Sequence, residues 1–191
     1  MERFIALITI TIFLSGCALS SIHRRAVFID TQHASAYNHR GNDYFLKGQY
    51  DLAIKEYRKA IDIYPAYAKA HSNLGYSHFV KKQYDLAIAQ FSRAIEHNPQ
   101  YAKAYNNRGL VHFAKGEYDR AMLDYNKAIE IDPGLAKPYD NRGTIYMIIG
   151  EIERACSDFV QACELGECAT YELVKDKGVC EFHYLAMSHI D

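Results

Sequence analysis

The sequence predicts an all-α fold: a right-handed α-α superhelix, or solenoid, of four helix-turn-helix units closed by a C-terminal capping helix. Three observations predict it. Small residues recur every 34 positions, as Gly41, Gly75, Gly109 and Gly143, as Ala53, Ala87, Ala121 and Ala155, and as Ala60, Ala94, Ala128 and Ala162. An aromatic keeps the same period at Tyr57, Phe91, Tyr125 and Phe159. Pro65, Pro99 and Pro133 fall in phase with both sets. A fixed period of this length marks an array in which each unit is one supersecondary element.

The N-terminal segment stands apart from the array. After Met1, Glu2 and Arg3 an apolar stretch runs from Phe4 to Leu14, too short for a bilayer core that needs about 20 apolar residues and of the length of a signal-peptide hydrophobic region. Leu14-Ser15-Gly16-Cys17 follows. It resembles the lipobox of bacterial lipoproteins, which implies cleavage after residue 16 and a lipidated Cys17 as the mature N-terminus. Each buried CH₂ adds about 0.8 kcal/mol, so the three acyl chains implied would anchor the protein firmly. By the same resemblance Ala18 directs it to the outer membrane, facing the periplasm. Residues 17–33, with no sustained helical period, are the lipidated N-terminus and tether.

From Ala34 the units are 34–67, 68–101, 102–135 and 136–169. In each, a first helix runs to about Lys47, Lys81, Lys115 or Ile149, and a second starts near Asp51, Asp85, Asp119 or Glu153. Acidic residues suit a helix start because they accept the orphan backbone N–H groups and meet the positive end of the dipole. Pro65, Pro99 and Pro133 stop the second helices, since Pro lacks an N–H and clashes with the preceding turn. Gly41 and its equivalents let the second helix approach closely, where a larger residue would overpack the crossing by about 1–3 kcal/mol. Each pair buries only part of its apolar face, so stability comes from stacking.

These columns, with Tyr37, His71, Tyr105 and Tyr139 four residues before the glycines, resemble the tetratricopeptide repeat family over about residues 34–167. Two departures are local. Lys82 stands where the other copies have the turn glycines Gly48, Gly116 and Gly150, and Glu167 stands where a terminal Pro belongs. Fourteen of the 16 Tyr lie within the repeats, which makes most of them packing residues with a polar tip.

The resemblance implies that the concave face holds extended peptides or helices of partner proteins. Carried over by column, the groove is Lys69, Lys103 and Lys137; Asn38, Ser72, Asn106 and Asp140; Asn42, Tyr76, Leu110 and Thr144; and Phe45, Phe79, Phe113 and Met147, with Asn73 added from outside these columns. An apolar floor beside lysines and amides fits an acidic segment carrying aromatic or aliphatic residues. The alternative is that the Phe residues belong to the core and the lysines are merely solvated. One sub-family clamps a C-terminal carboxylate with a Lys/Asn/Asn/Lys/Arg set. Asn42, Asn73 and Lys103 match it, but Asn38 and Asn107 replace Lys and Arg, so that capture is not expected. Arg40, Arg108 and Arg142 precede the repeat glycines and are expected to bridge successive first helices.

Net charge is −1, with 22 Lys and Arg against 23 Asp and Glu, which offers no electrostatic reason to bind nucleic acid. No HExxH, paired Cys-x-x-Cys, phosphate loop or nucleophile elbow is present, so neither catalysis, cofactor nor metal is expected. His71, His78 and His112 occupy columns where other copies carry Tyr.

Past Cys17 the remaining cysteines lie between Cys156 and Cys180, and an envelope destination makes pairing the expectation. Cys156 and Cys163 are seven residues apart on one helix, about 10.5 Å along its axis, and cannot bond each other. A helix over 169–177 folded back on the fourth unit sets Cys163 against Cys168 and Cys156 against Cys180. That nested pairing would fasten the capping segment, residues 170–191. The alternative is a thiol metal or redox module. Together the sequence describes a non-enzymatic lipoprotein adaptor for envelope proteins, with a pilotin-like assembly factor as the other binding reading and self-association through terminal faces as a further possibility.

Overall fold

The computed structural model of the chain describes residues 31–180, so the leader, Cys17, most of the tether and residues 181–191 lie outside the described residues. The described residues form nine helices and no strand. They are α1 (31–46), α2 (Tyr50–Ile63), α3 (Ala68–Val80), α4 (Tyr84–His97), α5 (Ala102–Ala114), α6 (Tyr118–Ile131), α7 (Ala136–Ile148), α8 (Ile152–Glu164) and α9 (Ala169–Asp176). Helix α1 is already present at residue 31, inside the stretch read as tether. None of the described helices is long and apolar enough to cross a membrane. Two compact units divide inside α3, one ending at Ala70 and the other beginning at His71.

In the first unit α1 and α2 form an antiparallel hairpin joined by a three-residue turn. Ala34, Ala60 and Ala70 make a small apolar core, against which Tyr37, Ile61, Tyr64 and Tyr67 pack. Alanine at these points keeps the helices close, and the aromatic rings supply the buried area around them.

The second unit repeats this plan. Helices α5 and α6 pack along their length, as do α7 and α8, while α4 packs on α5 and α6 on α7. Phe91 and Val111 fill one core with Ala87, and Tyr125 and Ile145 fill the next with Ala121. A Cβ built on Gly109 would meet Tyr125 Cε1 at 2.7 Å, and one on Gly143 would meet Phe159 Cε1 at 2.8 Å. The crossing therefore requires glycine at these two positions of the column.

The second helices start differently from expectation. They begin at Tyr50, Tyr84, Tyr118 and Ile152, and the preceding Gln49, Gln83, Glu117 and Glu151 make no side-chain capping bond. Asp51, Asp85 and Asp119 lie inside the first turn, where they meet the dipole but do not cap. In the copies that start with tyrosine its ring packs across the turn: Tyr118 sits 5.6 Å from Phe113 and Tyr84 6.1 Å from Phe79. At the far end α9 packs back on α8. Disulfides join Cys163 to Cys168, with Cα atoms 3.9 Å apart, and Cys156 to Cys180, 5.6 Å apart. The inner bridge closes the α8–α9 turn, and the outer one ties the chain beyond α9 to the buried side of α8.

Candidate functional site

In the first unit, Asn42 Oδ1 accepts a 2.8 Å bond from Tyr57 Oη, Asn38 is fully buried, and the Phe45 ring lies 5.2 Å from Tyr50. Lys69 is exposed. Asn38 and Asn42 are thus part of the packing.

The second unit divides the remaining residues into two groups. Phe79 and Phe113 are half-buried and pack against the two cores, so they are shared between core and surface. Tyr76, 37% exposed, stands 5.9 Å from Phe79 and presents its ring to solvent. Leu110 and Met147 are half-buried, and Asn73 is half-buried with its backbone carbonyl accepting from Ser77 Oγ at 3.0 Å.

Lys103, Asn106 and Lys137 meet at one place. They line a cleft of about 460 Å³ with Asn107 of α5, Leu135 at the start of α7, and Leu165 to Glu167 after α8. Asn106 is buried and already bonded, its Oδ1 accepting from Asn141 Nδ2 at 3.0 Å and its Nδ2 donating to Asn107 Oδ1 at 3.3 Å. Its role is to hold Asn107 and to join α5 to α7. Lys137 Nζ pairs with Glu167 Oε1 at 2.8 Å, whereas Lys103 has no ion-pair partner among the described residues. Leu135, the N-cap of α7, brings no side-chain acceptor to the first N–H groups of that helix.

The arginine column does not bridge successive first helices. Arg108 of α5 donates to both carboxylate oxygens of Asp124 on α6, at 2.9 and 2.7 Å, and to Ser92 Oγ on α4 at 3.1 Å. Arg142 does the same with Asp158 on α8, at 2.8 and 2.7 Å, and with Asn126 on α6 at 2.6 Å. Each guanidinium clips three helices. The bond to its aspartate raises each guanidinium's pKa, so both stay charged. Signal for this existed: Asp124 and Asp158 follow their arginines by sixteen residues, and in the second copy Leu74 and Gln90 replace arginine and acid together.

Among the described residues no group of three or more His, Cys, Asp or Glu is placed to hold a metal ion. With Cys156, Cys163, Cys168 and Cys180 paired as disulfides, their sulfurs do not stand as a four-thiolate set. His112, buried, bonds Glu117 Oε2 through Nδ1 at 2.7 Å, and that bond is the main reason the Glu117 carboxyl sits below its usual range.

Comparison with known proteins agrees with this architecture. Family models described as TPR repeat and Tetratricopeptide repeat match residues 41–82 and 72–136. No curated protein matches the chain. Among solved structures, a crystal structure of MamA is similar at 30% identity, covering 75% of this chain and 84% of that one with a TM-score of 0.64. The first TPR of Spaghetti (RPAP3) bound to the HSP90 peptide SRMEEVD is 29% identical over 63% of this chain and 95% of its own, TM-score 0.60. The first TPR domain of human RPAP3 is 28% identical, covering 63% and 95%, TM-score 0.61.

Proposed function

Because the chain belongs to the tetratricopeptide repeat family, a family of protein–protein interaction modules, we propose that it is a non-enzymatic adaptor that holds peptide or helical segments of partner proteins along the exposed side of its first helices. The observation that carries this reading is the likeness, at 29% identity, to a repeat domain seen with a peptide bound. The half-buried Phe79 and Phe113, the exposed Tyr76 and the cationic cleft at Lys103 and Lys137 give a surface of the right chemistry for such a segment.

The adaptor works, in this proposal, from the cell envelope. Support comes from the lipobox-like Leu14-Ser15-Gly16-Cys17 and the apolar stretch before it, together with two cystine bridges of a kind that persists in oxidising compartments. Partners are then other envelope proteins, held near a membrane by the lipid on Cys17. Two measurements test the two halves. Mass spectrometry of the N-terminus expects Cys17 carrying acyl chains, and an unmodified Cys17 still joined to residue 16 overturns the anchor. Crosslinking in membrane extracts expects partner bands that vanish in a Tyr76→Ala, Lys103→Glu chain of unchanged circular dichroism. Bands that persist overturn the groove.

A further inference from the structure

We propose that the Cys163–Cys168 bridge is a thiol–disulfide exchange site, a cystine that takes two electrons from a dithiol, while Cys156–Cys180 is the structural bridge. The two cystines differ first in access. Cys156 and Cys180 are 2% and 3% exposed, whereas Cys163 and Cys168 are half-buried at the α8–α9 turn, so a thiolate in solution reaches the second pair and not the first. They differ also in what they hold. The outer bridge spans 24 residues and ties the chain beyond α9 to α8, while the inner one spans five, and a shorter loop removes less freedom from the unfolded chain. The inner turn keeps its shape without sulfur. Gly166 N–H donates to Cys163 O at 2.9 Å and Glu167 N–H to Ala162 O at 2.8 Å. The turns after α3 and α5 make the same two bonds with no cysteine, from Lys82 and Gln83 to Phe79 and His78, and from Gly116 and Glu117 to Phe113 and His112.

The placement of the two sulfurs decides which one leaves. Cys168 is the N-cap of α9 and makes no side-chain bond to the first N–H groups of that helix, so a thiolate there meets open donors at the positive end of the dipole. Cys163 lies in the last turn of α8, at the negative end. Glu167, the acid next to Cys168, has its charge paired by Lys137 at 2.8 Å. An incoming thiolate therefore attacks Cys163 Sγ and forms a mixed disulfide, and the Cys163–Cys168 bond breaks with its electron pair going to Cys168. The backbone bonds of the turn keep Cys168 beside Cys163, with Cα atoms 3.9 Å apart in the bridged form, so Cys168 expels a monothiol before a second molecule completes the reduction. A dithiol completes it. Its second thiolate attacks its own first sulfur, displaces Cys163 as a thiolate and closes as a disulfide. The dithiol is thus oxidised by two electrons, and Cys163 and Cys168 are reduced and take up the two protons it gives up.

Graded dithiothreitol on the oxidised full chain under native conditions, quenched by alkylation and mapped by peptide mass spectrometry, tests this. Cys163 and Cys168 should be labelled together at dithiothreitol levels about tenfold or more below those that open Cys156–Cys180. The monothiol 2-mercaptoethanol at equal thiol concentration should label far less of the inner pair. Circular dichroism should be unchanged at that stage, and equally in a Cys163→Ser, Cys168→Ser chain. Once the inner pair is reduced, iodoacetamide at about pH 6 should label Cys168 several-fold faster than Cys163. Opening of both bridges together, or of the outer one first, would overturn the exchange site, as would loss of helix when the inner pair alone is reduced. Faster labelling of Cys163 would overturn Cys168 as the leaving sulfur.

Discussion

The second and third hairpins meet the same demand with different chemistry. Between α5 and α6 the buried polar link is ionic: Arg108, its side chain 23% exposed, spans to Asp124, 8% exposed, and on to Ser92. Between α3 and α4 the same two columns hold Leu74 and Gln90, and the polar link shifts to His71, whose Nδ1 lies 2.9 Å from Gln90 Oε1. The columns change as pairs. A buried ion pair is worth little more than an apolar replacement of both partners, but removing one partner strands a charge, so arginine without its acid would be the worst of the combinations.

The largest expected effect comes from breaking one clip and not the other. Asp124→Ala should cost about 3 kcal/mol in urea unfolding, because Arg108 is left largely buried and unpaired. Gln90→Ala, which removes one neutral hydrogen bond from His71 and leaves no charge unpaired, should cost about 1 kcal/mol. Placing the second hairpin's leucine and glutamine in the third, as Arg108→Leu with Asp124→Gln, should recover most of the loss, because no charge is then stranded even though Tyr105 stands where the second hairpin has His71. If the double variant is as unstable as Asp124→Ala alone, the two hairpins are not interchangeable and the comparison fails.

The helices, their order and the glycine crossings were legible because a 34-residue period repeats four times, which averages out local accidents of propensity. What was not legible lies in contacts without a period. In three of the four copies a tyrosine packed on a phenylalanine across the turn stands at the start of the second helix, as Tyr118 on Phe113, while the fourth starts at Ile152, so capping rules place the start one residue late. The arginines turned toward acids on the second helices, a partner that only the joint change at Leu74 and Gln90 signals. Asn106 was read as a ligand contact because its column faces the groove, but its amide bonds sideways to Asn141 in the next copy. Glu167 was read as a missing proline, since an ion pair to Lys137 thirty residues away leaves no mark in composition or spacing.

Within one aromatic column the hairpins also differ by a single hydroxyl. Tyr57 Oη donates to Asn42, whereas Tyr125, in a copy where Leu110 replaces that asparagine, has no partner for its hydroxyl among the described residues. Phe91 and Phe159 show that the column accepts a ring without the oxygen. Tyr125→Phe should therefore stabilise by about 1 kcal/mol, and Tyr57→Phe should destabilise by about the same. Alkaline titration gives a second readout. Burial pushes the Tyr57 hydroxyl up to about 12 and raises that of Tyr125 as well, with Asp124 adding to the latter. Folded-state values above the unfolded 10 mean that this contribution is complete below pH 10 and is lost as pH rises toward 12. Tyr125→Phe should flatten that alkaline decline. An unchanged profile in both Phe variants would show that the rings do not titrate with folding.

The smallest effect concerns the turns, where the second hairpin again departs from the third. Lys82 N–H bonds Phe79 O at 2.8 Å and Gln83 N–H bonds His78 O at 2.9 Å; Gly116 and Glu117 make the same two bonds to Phe113 and His112, both at 2.9 Å. The backbones match, with φ +58° at Lys82 and +78° at Gly116. Only the Cβ differs, and a side chain in this left-handed region is disfavoured where glycine is not. Part of that strain is offset because glycine loses more chain entropy on folding. Lys82→Gly should thus raise stability by about 0.5 kcal/mol, and Gly116→Lys should lower it by a similar amount, as thermal unfolding of the two variants would read. A loss from Lys82→Gly would mean that the lysine side chain makes up for its conformation, and that the two turns are alike in backbone but not in what holds them.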